Sequence, residues 1–501
     1  MQHRDAVISY WGPALPMDRW LLVEVLALAI LLRVFALGAE SLWFDEAYSV
    51  AFAGADLSLL NFLRPGGFAF TDKNVYHILL HFWLALGKTE FMIRLLSVVC
   101  GVATVGVVLA LARRLFGWRA AAWAAALVAV SPLHIWYSRE ARMYMLACLF
   151  AWLAVWAVVE GLSAARSRFV WAGYAVCAAL GLYTHSFAAF VVLAVNVWAV
   201  WLFIMDSRRR RRSLLPWLAA NATIIVLAIP WLLGITQQQG QGWWVWIEQK
   251  YGAPGLSQLL WLPVDFSLGT IRPASNWLVL IPFAAFAFAF LWGIVPPRRE
   301  GERDWWRSGG REWACGVILA VVPTLTVFLL AQFRPMFVLR YMVPFAPALA
   351  LMAGRGLGRI RRTVPRWALA GLYLAGVVMA LALVYSTPQK EDWRGAAEYL
   401  ASQAKPGAVV FLVDEDIRVP LEFYYTQPAD LHPVWRGHTS DEDLSPRVDG
   451  VAANADEFWL VVSHSNNDAL EQYLRRFGNV VERSEFRDVS VIRFRGRGGS
   501  G

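Results

Sequence analysis

The chain reads as an all-α polytopic membrane protein of about 11 transmembrane helices, followed by a small C-terminal α/β domain outside the membrane. Three observations predict this. The first is composition. Of 501 residues 58% are hydrophobic and only 17% charged, with 27 Trp and a mean hydropathy of +0.46, whereas a soluble domain carries roughly 25% charge. The second is a series of apolar runs close to the ~20 residues that span a bilayer. The third is a change of character after Tyr385, where shorter strand-like and amphipathic helical segments replace the long runs.

Span cores are expected at 20–38, 91–112, 119–135, 143–162, 169–184, 186–205, 214–234, 275–295, 313–331, 339–354 and 366–385. The first run, Leu21 to Leu37, is broken only by Glu24 and Arg33 and is long enough to remain as a signal anchor. The loops alternate in charge. ARRLFGWR, AARSR, DSRRRRRRS, PPRREGERDWWRSGGRE and GRGLGRIRRTVPR fall on one side. Positive-inside puts them, and the N-terminus, in the cytoplasm. Everything after Tyr385 then lies outside. The expected division is a membrane domain over 1–385, with outer-face loops 39–90 and 235–274, a soluble extracytoplasmic α/β domain over 386–497, and a disordered tail over 498–501. In the soluble part RGAAEYLASQA and NDALEQYLRRF have helical periodicity, while GAVVFLVDED, EFWLVVSH and SVIRFR read as strands.

The net charge of +9 sits in short loops between spans, as topology signals do, so it does not indicate nucleic acid. Cys100, Cys148, Cys177 and Cys315 lie in apolar stretches without CxxC or Cys/His spacing, which indicates neither a disulfide frame nor a zinc site.

The outward face collects polar residues in four places. Asp45 and Glu46, in SLWFDEAYSV, follow the first span beside Trp43, Phe44 and Tyr48. Acids at a membrane boundary are functional candidates; the plainer reading is a loop acid near an aromatic belt. The same loop continues through Lys73, Tyr76, His77 and His81. VYHILLHFWLAL is too short to span and reads as a helix lying on the membrane surface. Its two histidines, four apart, share a face and can chelate, but no third ligand is specified, so anchoring at the interface is the first reading. In SPLHIWYSREARMYML, His134, Tyr137, Arg139, Glu140, Arg142 and Tyr144 stand at a span end. Arginine there suits a phosphate; a Glu140–Arg salt bridge closing the loop is the alternative. Tyr183 and His185 occupy the YTHSF turn, where a satisfied core histidine also fits. Arg334 and Arg340, in RPMFVLRYMVP, lie on the outer side, against positive-inside.

The order FDE after the first helix, YHILLHFWLALGKTEFMIRLLSVVCGVATV, ARRLFG, SPLHIWYSREARMYML and LRYMVPFAPALALM resembles the bacterial GT-C membrane glycosyltransferases. Within them it is most similar to the protein O-mannosyltransferase, lipid A aminoarabinose transferase and RgtA/B/C/D-like group. The resemblance covers most of residues 20–355, and DWRGAAEYLASQAKPGAVV resembles the soluble tail of many relatives. Where many of them carry Pro-Pro-Leu-Tyr, this chain has DKNVYHILL, which keeps Tyr76 and lacks both prolines.

The resemblance implies a hexosyl- or pentosyltransferase, mannosyltransferase-like, in the bacterial inner membrane. It implies a polyprenyl-phosphate sugar donor, an envelope acceptor (lipid, polysaccharide or protein) and inverting transfer on the outer face. The family's catalytic acid maps onto Asp45, with Glu46 beside it. Arg142, Arg340 and Lys73 are the expected donor-phosphate cations. Glu140, Tyr76, His77, Tyr144 and His185 are expected around the acceptor or behind these groups. No metal is expected to be essential, although a divalent cation is compatible with the site. A transporter or flippase of lipid-linked sugars would share the apolar groove and the arginines. It fits less well, because the site residues crowd one face and no inverted repeat occurs. An oligosaccharide transferase or polymerase is the other enzyme reading, and a membrane scaffold leaves the outer charges unexplained.

Overall fold

The computed structural model describes residues 16–54, 74–163, 168–237, 251–271, 276–297, 309–434, 440–463 and 468–497. The chain forms two compact units. One holds Met1–Ala36, Asp56–Trp83 and Arg94–Thr387. The other joins Leu37–Ala55 and Leu84–Ile93 to the tail Pro388–Gly501.

In chain order the helices up to the tail are α1 (Pro16–Val34), α2 (Phe44–Ala53), α3 (Asn74–Trp83), α4 (Glu90–Phe116), α5 (Trp118–Val130), α6 (Pro132–Ser138) and α7 (Tyr144–Ser163). They continue as α8 (Arg168–Thr184), α9 (Ala188–Met205), α10 (Ser207–Gln237), α11 (Leu256–Leu268), α12 (Asn276–Ile294), α13 (Gly310–Leu330), α14 (Ala346–Arg359) and α15 (Thr363–Ser386). Among the described residues seven helices (α4, α7, α9, α10, α12, α13 and α15) are long and apolar enough to cross a membrane. An eighth crossing is present if α5 and α6, bent by 58°, count as one. Three further expected span cores form helices that this measure of length and apolarity does not count. Helix α1 carries Asp18, Arg19, Glu24 and Arg33, α8 has 17 residues, and α14 has 14. Ahead of α14, Leu339–Phe345 is a 3₁₀ turn containing Pro344. Pro347 then opens the helix, where a missing N–H costs nothing.

The α5–α6 break has a local cause. Pro132 has no N–H to give to the carbonyl of Val128. Arg33 replaces it: Nη2 donates to Val128 O (3.3 Å) and Nη1 to Ala129 O (2.9 Å), from a fully buried side chain. The guanidinium also meets Ala29 O (2.9 Å), Ser138 Oγ and His134 Nδ1. The charge inside the first span is thus a helix cap for a break far away in sequence.

Helix α14 lies between α5 and α12 at backbone distance. A Cβ on Gly354 would stand 2.5 Å from Ala124 N, and one on Gly356 1.8 Å from Ala289 O. Small residues are what allow helices to approach this closely in a membrane. Helix α11 lies in the stretch expected as an outer loop. Its residues are apolar but too few to span, and they are held by Ser131 Oγ on Phe266 O (3.3 Å) and Tyr373 OH on Ser267 O (2.8 Å).

The second unit is built on α16 (Trp393–Gln403), β1 (Ala408–Val413), α17 (Arg418–Tyr424), β2 (Ala429–Val434), α18 (Asp441–Ala452), β3 (Glu457–Ser463), α19 (Asp468–Leu474), β4 (Gly478–Phe486) and β5 (Val489–Gly496). The sheet order is β2-β1-β3-β5-β4. β1 is parallel to β2 and β3, and β5 is antiparallel to β3 and β4. One face is covered by Trp393, Ala397 and Leu400 of α16 with Leu421 of α17, the other by Leu444 and Val448 of α18 with Leu470 and Leu474 of α19. The central strands are buried on both faces, which is why they read as continuous apolar runs.

Candidate active site

Each unit brings some of the expected polar side chains together. In the membrane unit the cluster starts on α3. Tyr76 is fully buried, and its hydroxyl meets Ser97 Oγ of α4 at 3.2 Å. Ser97 donates to the backbone carbonyl of Arg142 (3.3 Å). The loop between α6 and α7 is therefore tied to two other helices at the residue that carries the guanidinium. It is tightened by Arg142 N on Glu140 O (2.8 Å), and both Glu140 and Arg142 are buried.

Beyond Arg142 the cluster is aromatic. The guanidinium lies 5.9 Å from the Tyr144 ring centroid, and that of Arg340 lies 5.5 Å from the Tyr341 ring. The two tyrosine rings are 6.5 Å apart. His185 packs between them, 5.8 Å from Tyr144 and 5.0 Å from Tyr341, with Phe187 5.4 Å from Tyr341. His185 Nδ1 accepts from Phe187 N (3.2 Å), so the neutral ring carries its proton on Nε2. Two guanidinium groups thus border a box of rings. Such rings offer the flat apolar faces and polar edges that suit a sugar, and fixed cations suit a phosphate. An apolar cavity of about 230 Å³ in the same unit is lined by Leu262 and Phe266 of α11, Phe290 of α12 and Leu325 of α13.

Other charges of this region have structural partners. Arg139 donates to the carbonyls of Arg33, Phe35 and Ala36 and lies 4.8 Å from the Tyr385 ring. It caps the C-terminal end of α1, where a cation is favoured. His134 is buried with Nδ1 on Arg33. His77 is buried against Tyr76, while His81 is half-buried beside Phe82. Among the described residues no three His, Cys, Asp or Glu side chains come together as a metal site.

In the second unit Asp45 and Glu46 occupy the second and third positions of α2. Acids are stabilised there by the exposed amides and the helix dipole. Glu46 Oε2 accepts from Trp43 N (3.4 Å), a capping contact, and its Oε1 accepts from Lys390 Nζ (3.0 Å). Glu46 is fully buried and Lys390 nearly so. Glu391 completes the latch. Its Oε2 accepts from Phe44 N (3.0 Å) and from Trp393 Nε1 (2.5 Å), while its carbonyl takes Ser41 Oγ (2.5 Å). Tyr424 OH receives Leu42 N (2.6 Å) and meets Glu90 Oε1 (3.1 Å). Tyr48 OH donates to Asp416 Oδ1 (2.8 Å), and burial followed by this bond pushes its phenol above the ordinary value. Asp45 itself is half-buried, its carbonyl taking Ser49 Oγ (3.0 Å).

The expected residues Tyr76, His77, Glu140, Arg142, Tyr144, His185 and Arg340 all fall in the membrane unit, and contacts run from Tyr76 through to Arg340. Asp45 and Glu46 fall in the other unit. Lys73 lies outside the described residues. Ser97, Phe187, Lys390 and Glu391 were not foreseen. The clearest available signal was the acid–base pair KED, directly after the last span.

Residues 75–233 match the family model described as dolichyl-phosphate-mannose-protein mannosyltransferase. No curated protein matches the sequence. Among solved structures the chain is similar to ArnT from Cupriavidus metallidurans in the apo state and bound to undecaprenyl phosphate. In both cases the TM-score is 0.62 at 17% identity, over 95% of this chain and 98% of that one. It is also similar to the archaeal oligosaccharyltransferase AglB from Archaeoglobus fulgidus in complex with an inhibitory peptide and a dolichol-phosphate. There the TM-score is 0.52 at 11% identity, over 93% of this chain and 73% of that one. These solved structures show the fold of the chain, and the family model matches within its membrane unit.

Proposed function

We propose that the protein transfers one sugar from a polyprenyl-phosphate-linked donor to an envelope acceptor on the extracytoplasmic face, with inversion. The observation that carries this reading is the pair Arg142 and Arg340 at the border of the Tyr144–His185–Tyr341 box. Similar structures bound to undecaprenyl phosphate and dolichol-phosphate support a prenyl phosphate as the leaving group. The apolar cavity beside α11 suits part of an isoprenoid chain.

In the reaction the acceptor hydroxyl oxygen attacks the anomeric carbon. The bond from that carbon to the phosphate oxygen breaks, and polyprenyl phosphate leaves with both electrons. The acceptor's proton passes to the carboxylate of Asp45. Arg142, Arg340 and Lys73 hold the phosphate and offset the charge growing on it. Glu46 keeps the first turn of α2 in place. Tyr76 positions Arg142 through Ser97, and His77, Glu140, Tyr144 and His185 shape the surroundings. The membrane unit crosses the bilayer about eleven times, in a bacterial inner membrane, with the N-terminus inside and the tail outside.

The test is sugar transfer from a synthetic polyprenyl-phosphate donor by purified protein. Asp45→Asn keeps the shape but cannot take the proton, so turnover falls about 10²–10⁴-fold while donor binding survives. Near-normal turnover of that variant removes Asp45 from the chemistry. Unchanged donor affinity in folded Arg142→Ala and Arg340→Ala removes the phosphate site. For orientation, an impermeant thiol reagent should label Ser402→Cys in intact cells; labelling only after lysis reverses the topology.

A further inference from the structure

Helix α14 starts beside Arg340 and Tyr341 and runs about 21 Å to Arg359, so its far end stands well away from the candidate site. There a groove of about 630 Å³ opens between α12 and α15. Its wall is apolar: Phe288 and Trp292 on α12, with rings nearly parallel (5°), and Leu369 and Leu372 on α15. Phe288, Trp292 and Leu372 are exposed in the absence of a bilayer. The head of the groove is made by Arg359, Arg361 and Arg362.

Basic residues at a helix end can be topology signals and nothing more. A topology signal requires charge, not a fixed orientation. Arg359 is fixed: Nη1 donates to Trp292 O (3.0 Å) and Val295 O (2.6 Å), and the guanidinium lies 5.5 Å from the Trp292 ring. Arg355, one turn earlier, donates to Val295 O (3.1 Å) and, with Arg119 and Arg359, lines a second cavity of about 450 Å³. Among the described residues no acid lines either cavity. The result is an apolar trough that ends in a concentrated, oriented positive charge.

We propose that this groove binds an anionic phospholipid, with an acyl chain along Phe288, Trp292 and Leu369 and the headgroup phosphate on Arg359, Arg361 and Arg362. The charge selects an anionic over a zwitterionic headgroup, and basic pockets between membrane helices take such headgroups in general. The site lies at the opposite end of α14 from the proposed donor site and does not depend on that assignment.

The experiment uses the full-length protein in detergent and phosphatidylglycerol carrying a photoreactive group in one acyl chain. Crosslinked peptides should contain Phe288–Trp292 or Leu369–Leu372. Unlabelled phosphatidylglycerol should compete and phosphatidylcholine should not. Each surface-near arginine is worth about fivefold in binding, so Arg361→Gln with Arg362→Gln should weaken capture about 30-fold. Both side chains are exposed, so folding is not at stake. Ala368→Trp, which fills the trough, should abolish crosslinking while inorganic phosphate binding is unaffected. Equal competition by the two lipids, crosslinks elsewhere only, or capture by the double variant within twofold of the parent overturns the proposal. Competition by millimolar inorganic phosphate, with Ala368→Trp behaving as the parent, makes the site one for a free anion and also overturns it.

Discussion

Replacing Lys390 with Met probes the latch that holds the acid-bearing helix. Lys390 Nζ and Glu46 Oε1 are 3.0 Å apart, and both side chains are buried. Methionine keeps most of the stem and removes the charge. Buried Glu46 then loses the Lys390 ammonium, and breaking such a buried pair costs about 3–5 kcal/mol. The remaining contacts of α2 to Glu391, from Phe44 N and through Trp393, are too few to restore it. At 1.36 kcal/mol per factor of ten, amide exchange at residues 42–48 should accelerate by roughly a hundred- to several-thousand-fold. Removing both charges, with Glu46→Gln added, should recover most of this loss, because a neutral buried pair has little desolvation to offset. Hydrogen exchange read by mass spectrometry on the full chain follows both variants. Exchange at 42–48 within threefold of the parent in Lys390→Met would refute the argument, as would a double variant no better than the single.

Two further outcomes follow from the packing of the membrane unit. Arg33→Met removes the donor to the Ala129 carbonyl and leaves that of Val128 with only the longer 3.4 Å contact from Ser131 N; at about 1–3 kcal/mol for an unsatisfied group, thermal unfolding in detergent should move down by several degrees, and an unchanged midpoint would mean that water serves as well. Gly356→Ala places a Cβ 1.8 Å from Ala289 O, whereas the same change at Gly371 meets nothing within 4 Å. The first should destabilise by about 1–3 kcal/mol or more, and the second should be neutral or stabilising by up to about 1 kcal/mol. Equal thermal midpoints for the pair would contradict the close helix contact.

The parts of the fold legible in the sequence are those that bury both faces. Strands β1, β3 and β5 are central or next to centre and appear as apolar runs. Strands β2 and β4 are the sheet edges and were not foreseen. β2 contains Pro433, which an edge tolerates, and β4 alternates charge through Glu482, Arg483 and Glu485, which blunts an edge against other chains. Helix α11 was hidden for another reason: it is apolar yet too short to register as a span. In the candidate site Arg142, Arg340, Tyr144 and His185 stood out as polar groups at span ends. Ser97 and Phe187 did not, since a serine or phenylalanine near the end of an apolar run carries no signal of its own. Lys390 and Glu391 meet Glu46 and Phe44 across more than 340 positions, and no local pattern announces such a pairing.

The Arg33 cap has a consequence for biogenesis. The two carbonyls it serves belong to a proline-broken segment synthesised about a hundred residues later, and bare carbonyls in hydrocarbon cost several kcal/mol each. Because the first helix leaves the ribosome before the broken pair, the donor is in the bilayer when the acceptors arrive. The costly intermediate, a kinked segment facing lipid with open backbone groups, need never accumulate. The linear order of the gene thus supplies a chaperone-like partner from within the same chain, and the arginine that looked misplaced in the opening span is the part that arrives early.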